Sequence, residues 1–186
     1  MRLEEKYKKE VIAAMKDNKF GCKNVMAAPK IKKVVLNVGF GKSVVNKTKD
    51  EQRKLIETIL HDLVLIAGQR PVFTRAKQSI AGFKVRKGMI IGAAVTLRKK
   101  MMYDFLERLI KVVIPRVRDF KGIERSSFDD KGNLTIGIKE HIVFPEVFQE
   151  KAKQIFSLEV TVVTAARNKE EGIELLKLMG FPIKKD

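Results

Sequence analysis

The stretch Leu63–Tyr103 reads LVLIAGQRPVFTRAKQSIAGFKVRKGMIIGAAVTLRKKMMY, and its 41 residues contain nine lysines or arginines and no acidic residue. A second stretch, Asn18–Lys49, holds eight lysines in 32 residues, again without an acid. We call these two segments the basic stretches. The remaining residues carry 22 basic and 22 acidic side chains, so the basic stretches account for the whole formal charge of +17. Cations kept apart from acids create a directional field that favours a polyanionic partner. The chain is therefore predicted to bind a phosphate backbone.

Alternation of apolar residues predicts five strands. Met89 to Lys99 places apolar side chains on one face and mostly small or polar ones on the other. The same alternation occurs in Ile31–Phe40, Leu134–Glu140 and Leu158–Thr164, and a short strand is expected over Val72–Thr74. The segment Arg75–Gly88 lacks a clear period and is predicted to be a long, mobile, basic loop between two strands.

Helical spacing of apolar residues predicts helices that alternate with these strands. The first helix covers residues 2 to about 19, and the second begins with the capping pair Thr48 and Glu51 and ends at Gly68. The third runs from Met102 to Val113, where Pro115 bends or stops it. A short helix is expected within Pro145–Phe156, and a last one begins with the caps Asn168 and Glu171 and ends at Gly180. The second of these carries the stripe Leu55, Ile56, Ile59, Leu60, Leu63, Val64.

These elements, with no linker or internal repeat, predict a single α+β domain over residues 1–186. Its antiparallel-rich twisted sheet is expected to carry helices on one face. The 45% hydrophobic content is sufficient for a core. Cys22 is the only cysteine, which excludes an intrachain disulfide and a multi-cysteine metal cage and fits a reducing, cytoplasmic setting. The longest apolar runs are too short for a membrane span.

Fragments that resemble catalytic motifs fail on inspection. Gly41-Lys42-Ser43 resembles the end of a phosphate-binding loop, but that pattern requires glycine where Leu36 stands. The two histidines, His61 and His141, lack a metal-ligand spacing. Asp129 and Asp130, beside Gly132, are typical of a turn. We therefore predict that the chain is not an enzyme and that it binds neither a metal nor a cofactor.

The polar faces of two predicted strands favour binding instead. One face carries Lys33, Asn37 and Gly39, and the other carries Gly92, Ala94, Thr96 and Arg98. Small residues let a sugar-phosphate strand approach, amides and hydroxyls bond to riboses or bases, and cations fix the register on phosphates. The alternative is the solvated side of a half-exposed sheet. In the loop, Phe83 either stacks on a base or anchors into the core.

Several of these segments together resemble the bacterial large-subunit ribosomal protein L-five family, which binds 5S rRNA. The resemblance covers nearly the whole chain. It is carried by the runs Lys33–Gly41, Ala67–Pro71, Ala76–Arg86, Val95–Arg98, Pro115–Gly122, Ser127–Asp129, Glu171-Gly172 and Gly180–Pro182. The sequence departs mildly from the family pattern at Phe40, Arg70 and Lys99-Lys100.

The resemblance implies an α+β protein of the cytoplasmic ribosome that holds 5S rRNA in the central protuberance. Its expected 5S rRNA contacts, with Gly92 added from the strand face, are Lys33, Asn37, Gly39, Gly92, Thr96 and Arg98. A loop facing the peptidyl-site tRNA would contain Lys77, Gln78, Ser79, Gly82, Phe83, Lys84, Arg86 and Lys87. A segment bridging to a protein of the small-subunit head would contain Arg116, Arg118, Asp119 and Lys121. Large-subunit rRNA and other large-subunit proteins are further expected partners.

Two other functions fit the charge pattern. An RNA-processing enzyme would need acids, histidines or a metal on the basic face, and the basic stretches supply no acids. A free-standing RNA chaperone would bind RNA outside any particle.

Overall fold

The computed structural model describes residues 2–17, 24–45, 47–118, 120–147 and 154–184. Its strands are β1 (Ile31–Gly39), β2 (Val72–Arg75), β3 (Ile90–Leu97), β4 (Leu134–Ile138) and β5 (Leu158–Thr164), in the sheet order β2-β3-β1-β5-β4. β2 pairs antiparallel with β3. β1 and β5 also run antiparallel, because the start of β1 meets the end of β5 where the Ala165 amide donates to the Lys30 carbonyl, 2.8 Å away. The predicted α+β class, with an antiparallel sheet, is confirmed.

The helices alternate with the strands largely as predicted. α1 (Leu3–Lys6) and α2 (Ile12–Asp17) are joined by a π-helical turn, Tyr7–Val11. α3 (Gly41–Val45), which the sequence reasoning missed, and α4 (Lys49–Ala67) follow β1. α5 (Lys99–Arg108) continues through π-helical Leu109–Val113 into α6 (Ile114–Arg116), and α7 (Lys169–Met179) follows β5. Of the helix predicted within Pro145–Phe156, residues 148–153 lie outside the described residues, and the described flanks are not helical.

α4 confirms the predicted caps but not the whole predicted stripe. The Thr48 and Glu51 side chains form the capping box, and Gly68 ends the helix in the left-handed region at φ 67°. Burial is centred on Leu55, Ile59, Asp62, Leu63, Ile66 and Ala67. Val64, predicted in the stripe, is exposed, because the buried face is rotated toward Asp62. The reason is non-local: Asp62 lies beside the buried ring of His141.

α7 is confirmed, although its predicted cap is made differently. The Asn168 side chain makes no capping hydrogen bond. Instead, the buried Glu171 carboxylate accepts a hydrogen bond from the Arg167 backbone N–H at 2.6 Å. Gly180 ends the helix at φ 102°, a conformation that favours glycine.

The chain divides into two compact units. Unit 1 comprises Met1–Val34, Leu97–Ile136 and Thr161–Asp186, and its core includes Met15, Val34, Leu97, Phe105, Leu109, Leu134 and Leu176. Unit 2 comprises Val35–Thr96 and Gly137–Val160, and its core includes Leu36, Val38, Ile59, Leu63, Val95, Phe144 and Val160. The single domain over residues 1–186 stays a prediction.

The strands bury one face and leave the other partly open. In β1, Val34, Leu36 and Val38 are fully buried, whereas Val35, Asn37 and Gly39 between them are not. In β5, Leu158, Val160 and Val162 are buried, and Glu159 and Thr161 are accessible. This pattern agrees with the expected packing of helices against one face of the sheet.

Candidate nucleic-acid interface

The open strand face of unit 2 contains three of the predicted RNA contacts. Asn37 and Gly39 lie on β1, and Thr96 lies on the neighbouring strand β3. Asn37 and Thr96 are half-buried and Gly39 is exposed. An added Cβ at Gly39 would meet no heavy atom within 4 Å, so the surface beside it is open. The face combines small size with amide and hydroxyl groups, as the sequence predicted.

Gly92 is a correction to that prediction, because it is buried rather than open. A Cβ at Gly92 would lie 2.6 Å from the Thr74 hydroxyl and 2.6 Å from the Val38 carbonyl oxygen. Thr74 is the cross-strand partner of Gly92 in the β2/β3 pair. The glycine therefore makes room for the neighbouring strand and side chain, and it is not accessible to an RNA strand in this structure.

An acidic residue from a distant part of the sequence joins the open face. The Asn37 side-chain amide donates a hydrogen bond to the Glu159 carboxylate of β5 at 3.3 Å. The sequence reasoning missed this contact, because 122 residues separate the two side chains. The alternation within β5 places Glu159 on the accessible side and is the signal that could have found it. The bond holds the Asn37 amide in place and brings one negative charge to the face.

The other two predicted 5S rRNA contacts belong to unit 1. Lys33 lies on β1 and is half-buried. Arg98 is exposed and directly precedes α5 as its N-cap residue, so the predicted strand ends one residue before it, at Leu97. Lys99, which was also expected in the strand, has φ 50° and begins the helix.

The described cations of the basic stretches are accessible and are not neutralised within the described chain. Lys8, Lys111, Lys177 and Lys184 form ion pairs, and none of them lies in a basic stretch. The described lysines and arginines of the basic stretches have no described carboxylate as an ion-pair partner, and all are exposed except the half-buried Lys33. They are Lys30, Lys32, Lys33, Lys42, Lys47, Lys49, Arg70, Arg75, Lys77, Lys84, Arg86, Lys87, Arg98, Lys99 and Lys100. Their charge is available to a polyanion.

The basic loop between β2 and β3 has more structure than predicted. Ile80 and Val85 exchange both backbone hydrogen bonds, at 2.9 and 3.2 Å, around a 3₁₀ turn at Ala81–Phe83. The Ser79 hydroxyl accepts a hydrogen bond from the Lys87 amide at 2.9 Å. The Ala76 amide donates to the Met89 carbonyl at the base of the loop. These bonds form a small hairpin. The sequence did not predict it, because its turn contains a non-glycine residue with positive φ, Lys84 at 51°.

The hairpin presents its predicted side chains to solvent. Lys77, Gln78, Ser79, Gly82, Phe83, Lys84, Arg86 and Lys87 are all exposed. Phe83 is 67% exposed, which rules out the alternative that it anchors into the core. Stacking of Phe83 on a base stays a prediction.

The segment predicted to bridge the subunits begins at the last residue of α6. Arg116 is the last residue of α6, and Arg116, Arg118 and Lys121 are exposed. Asp119 lies outside the described residues. Pro115 sits in the first turn of α6, one residue before the helix ends. The role of this segment is a prediction.

Asp129, which was considered as a catalytic residue, stabilises a turn. Burial would raise the pKa of the Asp129 carboxyl, but hydrogen bonds from Asn133 and the Lys131 backbone outweigh it, so the pKa lies below its ordinary value. Asp129 thus closes the predicted turn at Asp129–Asn133. Among the described residues, no three His, Cys, Asp or Glu side chains are grouped to hold a metal ion.

Comparison with known proteins decides the family. The family model described as "Ribosomal protein L5" matches residues 24–86, and the model of the C-terminal part of that ribosomal family matches residues 90–183. The chain belongs to the ribosomal protein L5 family. Large ribosomal subunit protein uL5 of Halothermothrix orenii is 51% identical over 180 residues, covering 97% of each chain. The protein of that name from Geotalea daltonii is 50% identical over 184 residues, covering 98% of each.

Proteins of this ribosomal family are structural components of the large ribosomal subunit in the cytoplasmic ribosome and are not enzymes. As ribosomal proteins they associate with rRNA and with other large-subunit proteins. In the part of the chain that the structure describes, no helix has both the length and the apolar character needed to span a membrane.

Proposed function

We propose that the chain binds 5S rRNA in the central protuberance of the large subunit, with Asn37, Gly39 and Thr96 on β1 and β3 as contacts. Lys33 and Arg98, which lie on or directly after the same strands, provide cations for phosphates. One observation carries the proposal: the basic stretches expose cations without described carboxylate partners, and strands β1 and β3, which lie within those stretches, present small polar residues. Small size permits close approach of an RNA backbone, and amides and hydroxyls bond to riboses and bases.

The hairpin between β2 and β3 is proposed to face the peptidyl-site tRNA. Its support is local: five cations surround an exposed aromatic side chain on a small hydrogen-bonded tip. The cations are Arg75, Lys77, Lys84, Arg86 and Lys87. Cations placed around an aromatic group are suited to an RNA backbone with accessible bases.

The segment that begins at the last residue of α6 is proposed to bridge to a protein of the small-subunit head. Arg116, Arg118 and Lys121 are exposed there within a span of six residues. A concentrated positive edge favours a partner surface of negative charge.

A bulky side chain on the open face tests the 5S rRNA proposal. Thr96→Phe places a ring where an RNA backbone must approach, whereas Lys87→Ala removes one exposed cation from the hairpin. We expect Thr96→Phe to weaken binding to isolated 5S rRNA more than Lys87→Ala does, as measured by filter binding at fixed salt. Urea unfolding of both variants controls for loss of folded protein. Equal losses of affinity would show that the contact face lies elsewhere.

Co-sedimentation separates the ribosomal role from that of a free-standing RNA chaperone. At moderate salt, a subunit component migrates with intact large subunits through a sucrose gradient. A chaperone stays near the top, and that result would contradict the proposal.

A further inference from the structure

A groove of about 730 Å³ lies in unit 2, between the hairpin and the residues at the end of β1 and in α3. Its volume is within the range of about 300–1,000 Å³ that is typical of binding sites. The hairpin contributes one wall, and residues 39–45 with Ile91 of β3 contribute the other. We call it the hairpin groove.

The walls of the hairpin groove are mainly apolar. The lining residues with apolar side chains are Val45, Ala76, Ile80, Phe83, Val85 and Ile91. Of these, Ile80 is 47% and Phe83 is 67% exposed. Exposed apolar surface with a charged rim is typical of interaction sites. An occupant with apolar side chains would remove this surface from water.

The rim of the groove is positive. Lys42 and Lys77 line it, both are exposed, and neither has a described carboxylate as an ion-pair partner. None of the described lining residues is acidic. Carboxylates are therefore the groups that complement this rim.

A nucleobase matches these walls less well than an apolar side chain does. The edge of a base carries several hydrogen-bond donors and acceptors, and apolar walls would leave most of them unpaired, at a cost in free energy. Gln78 is the one neutral polar side chain among the described lining residues, and it offers a single amide group. An aliphatic or aromatic side chain has no such groups to satisfy. Neighbouring carboxylates in the same segment would meet the lysines.

We propose that the hairpin groove docks an acidic segment of a partner protein, whose apolar side chains fill the groove and whose carboxylates lie beside Lys42 and Lys77. The inference goes beyond the proposed RNA binding and does not depend on it. The groove includes Gly39 and Phe83. A bound segment would therefore cover part of the proposed 5S rRNA face and part of the hairpin.

The test uses the full chain and three fluorescein-labelled decapeptides. The first contains two leucines and one phenylalanine among glutamates and serines. The second has serine in place of the three apolar residues, and the third has glutamine in place of the glutamates. Fluorescence anisotropy at low salt gives the affinities, and methyl NMR follows Ile80, Val85 and Ile91. Binding to 5S rRNA is measured in parallel, because its loss would refute the proposed function and leave the peptide result standing.

The expected result is binding that needs both the apolar and the acidic residues. The first peptide binds about 10- to 150-fold more tightly than the second, the ratio that corresponds to burying one large apolar side chain. It also binds more tightly than the third, because only its glutamates complement the lysines. The methyl signals shift with the first peptide and not with the second.

Substitutions in the groove separate the apolar contribution from aromatic stacking. Phe83→Ala should lower the affinity for the first peptide toward that for the second. Phe83→Leu should retain most of it, because an apolar side chain of similar size fills the groove. Phe73→Ala is the matched control, because Phe73 is an exposed ring of β2 that does not line the groove.

A second pair of substitutions tests the rim. Lys42→Glu should weaken binding of the first peptide by about 5-fold, the upper range for an exposed charge pair. Lys47→Glu is the matched control, because Lys47 is an exposed lysine of the same basic stretch that does not line the groove.

Three results would overturn the proposal in a chain that still binds 5S rRNA. Equal affinity for the first and second peptides would show that no apolar side chain enters the groove. Equal affinity for the first and third would show that the partner need not be acidic. A shift of the methyl signals by a single-stranded RNA nonamer but not by the first peptide would make the groove an RNA site.

Discussion

At the scale of single residues, the side chain of His141 is a fully buried polar group. Its ring stacks on Phe156 with centroids 3.8 Å apart. Nδ1 accepts a hydrogen bond from the Phe156 amide at 3.3 Å, so we assign the proton of the neutral ring to Nε2. Nε2 lies 3.4 Å from the Asp62 carboxylate. The histidine therefore links α4 to the segment between β4 and β5 within unit 2.

This environment predicts a pH dependence of stability. Burial lowers the pKa of His141 below its ordinary value of 6.5, although Asp62 opposes the effect. The unfolded chain then binds a proton more readily than the folded one. The free energy of unfolding should fall as the pH drops below about 6.5, by at most about 1.4 kcal/mol per pH unit from this group. Urea unfolding between pH 7.5 and 5.5 measures it.

A pair of variants isolates the His141 contribution. His141→Gln should flatten the pH dependence in this window. His61→Gln is the matched control, because it replaces an exposed histidine that also lies beside Asp62 and leaves His141 in place. The same pH dependence in wild type and His141→Gln would contradict the assignment.

At the scale of elements, the sequence predicted those strands and helix ends that depend on residues close together in the chain. The strands β1, β3, β4 and β5 follow from alternation, and the ends of α4 follow from Thr48 and Gly68. What it missed depends on distant partners. Asp62 is buried because His141 lies beside it, and Gly92 is covered because Thr74 pairs opposite it. In the candidate site, accessibility of the cations was predictable, whereas the pairing of β5 with β1, which brings the Glu159 carboxylate to Asn37, was not.

The packing of α7 on the Asp129–Asn133 turn gives a prediction at this scale. A Cβ at Gly172 would clash with the Gly132 carbonyl oxygen and would lie 2.5 Å from the Gly132 Cα. These are backbone atoms, which cannot rotate away. Gly172→Ala should therefore lower the free energy of unfolding by about 1–3 kcal/mol, the usual cost of overpacking. Urea unfolding at pH 7.5 measures the loss.

Gly137→Ala is the matched control for this substitution. Gly137 lies in β4, and an added Cβ there meets no heavy atom within 4 Å. Its stability should change by less than about 0.5 kcal/mol, as for other surface substitutions. If both alanine variants were equally stable, the close approach of α7 to Gly132 would be wrong.

At the scale of the whole molecule, the defining property is the separation of charge along the chain. The formal charge of +17 resides in two stretches that contain no acid. Folding brings one carboxylate, that of Glu159, to Asn37, but the described cations of the stretches gain no described carboxylate partner. Cations left in this state release counterions from a nucleic acid when they bind its phosphates. The affinity for 5S rRNA should then fall steeply as the salt concentration rises.

The most direct test is the affinity of the full chain for isolated 5S rRNA as a function of KCl concentration. Each phosphate contact contributes a slope of about −0.7 to −0.9 in log K against log [KCl]. Three or more contacts predict a straight line steeper than about −2. A slope near zero would contradict the claim that the exposed cations of the basic stretches hold the RNA.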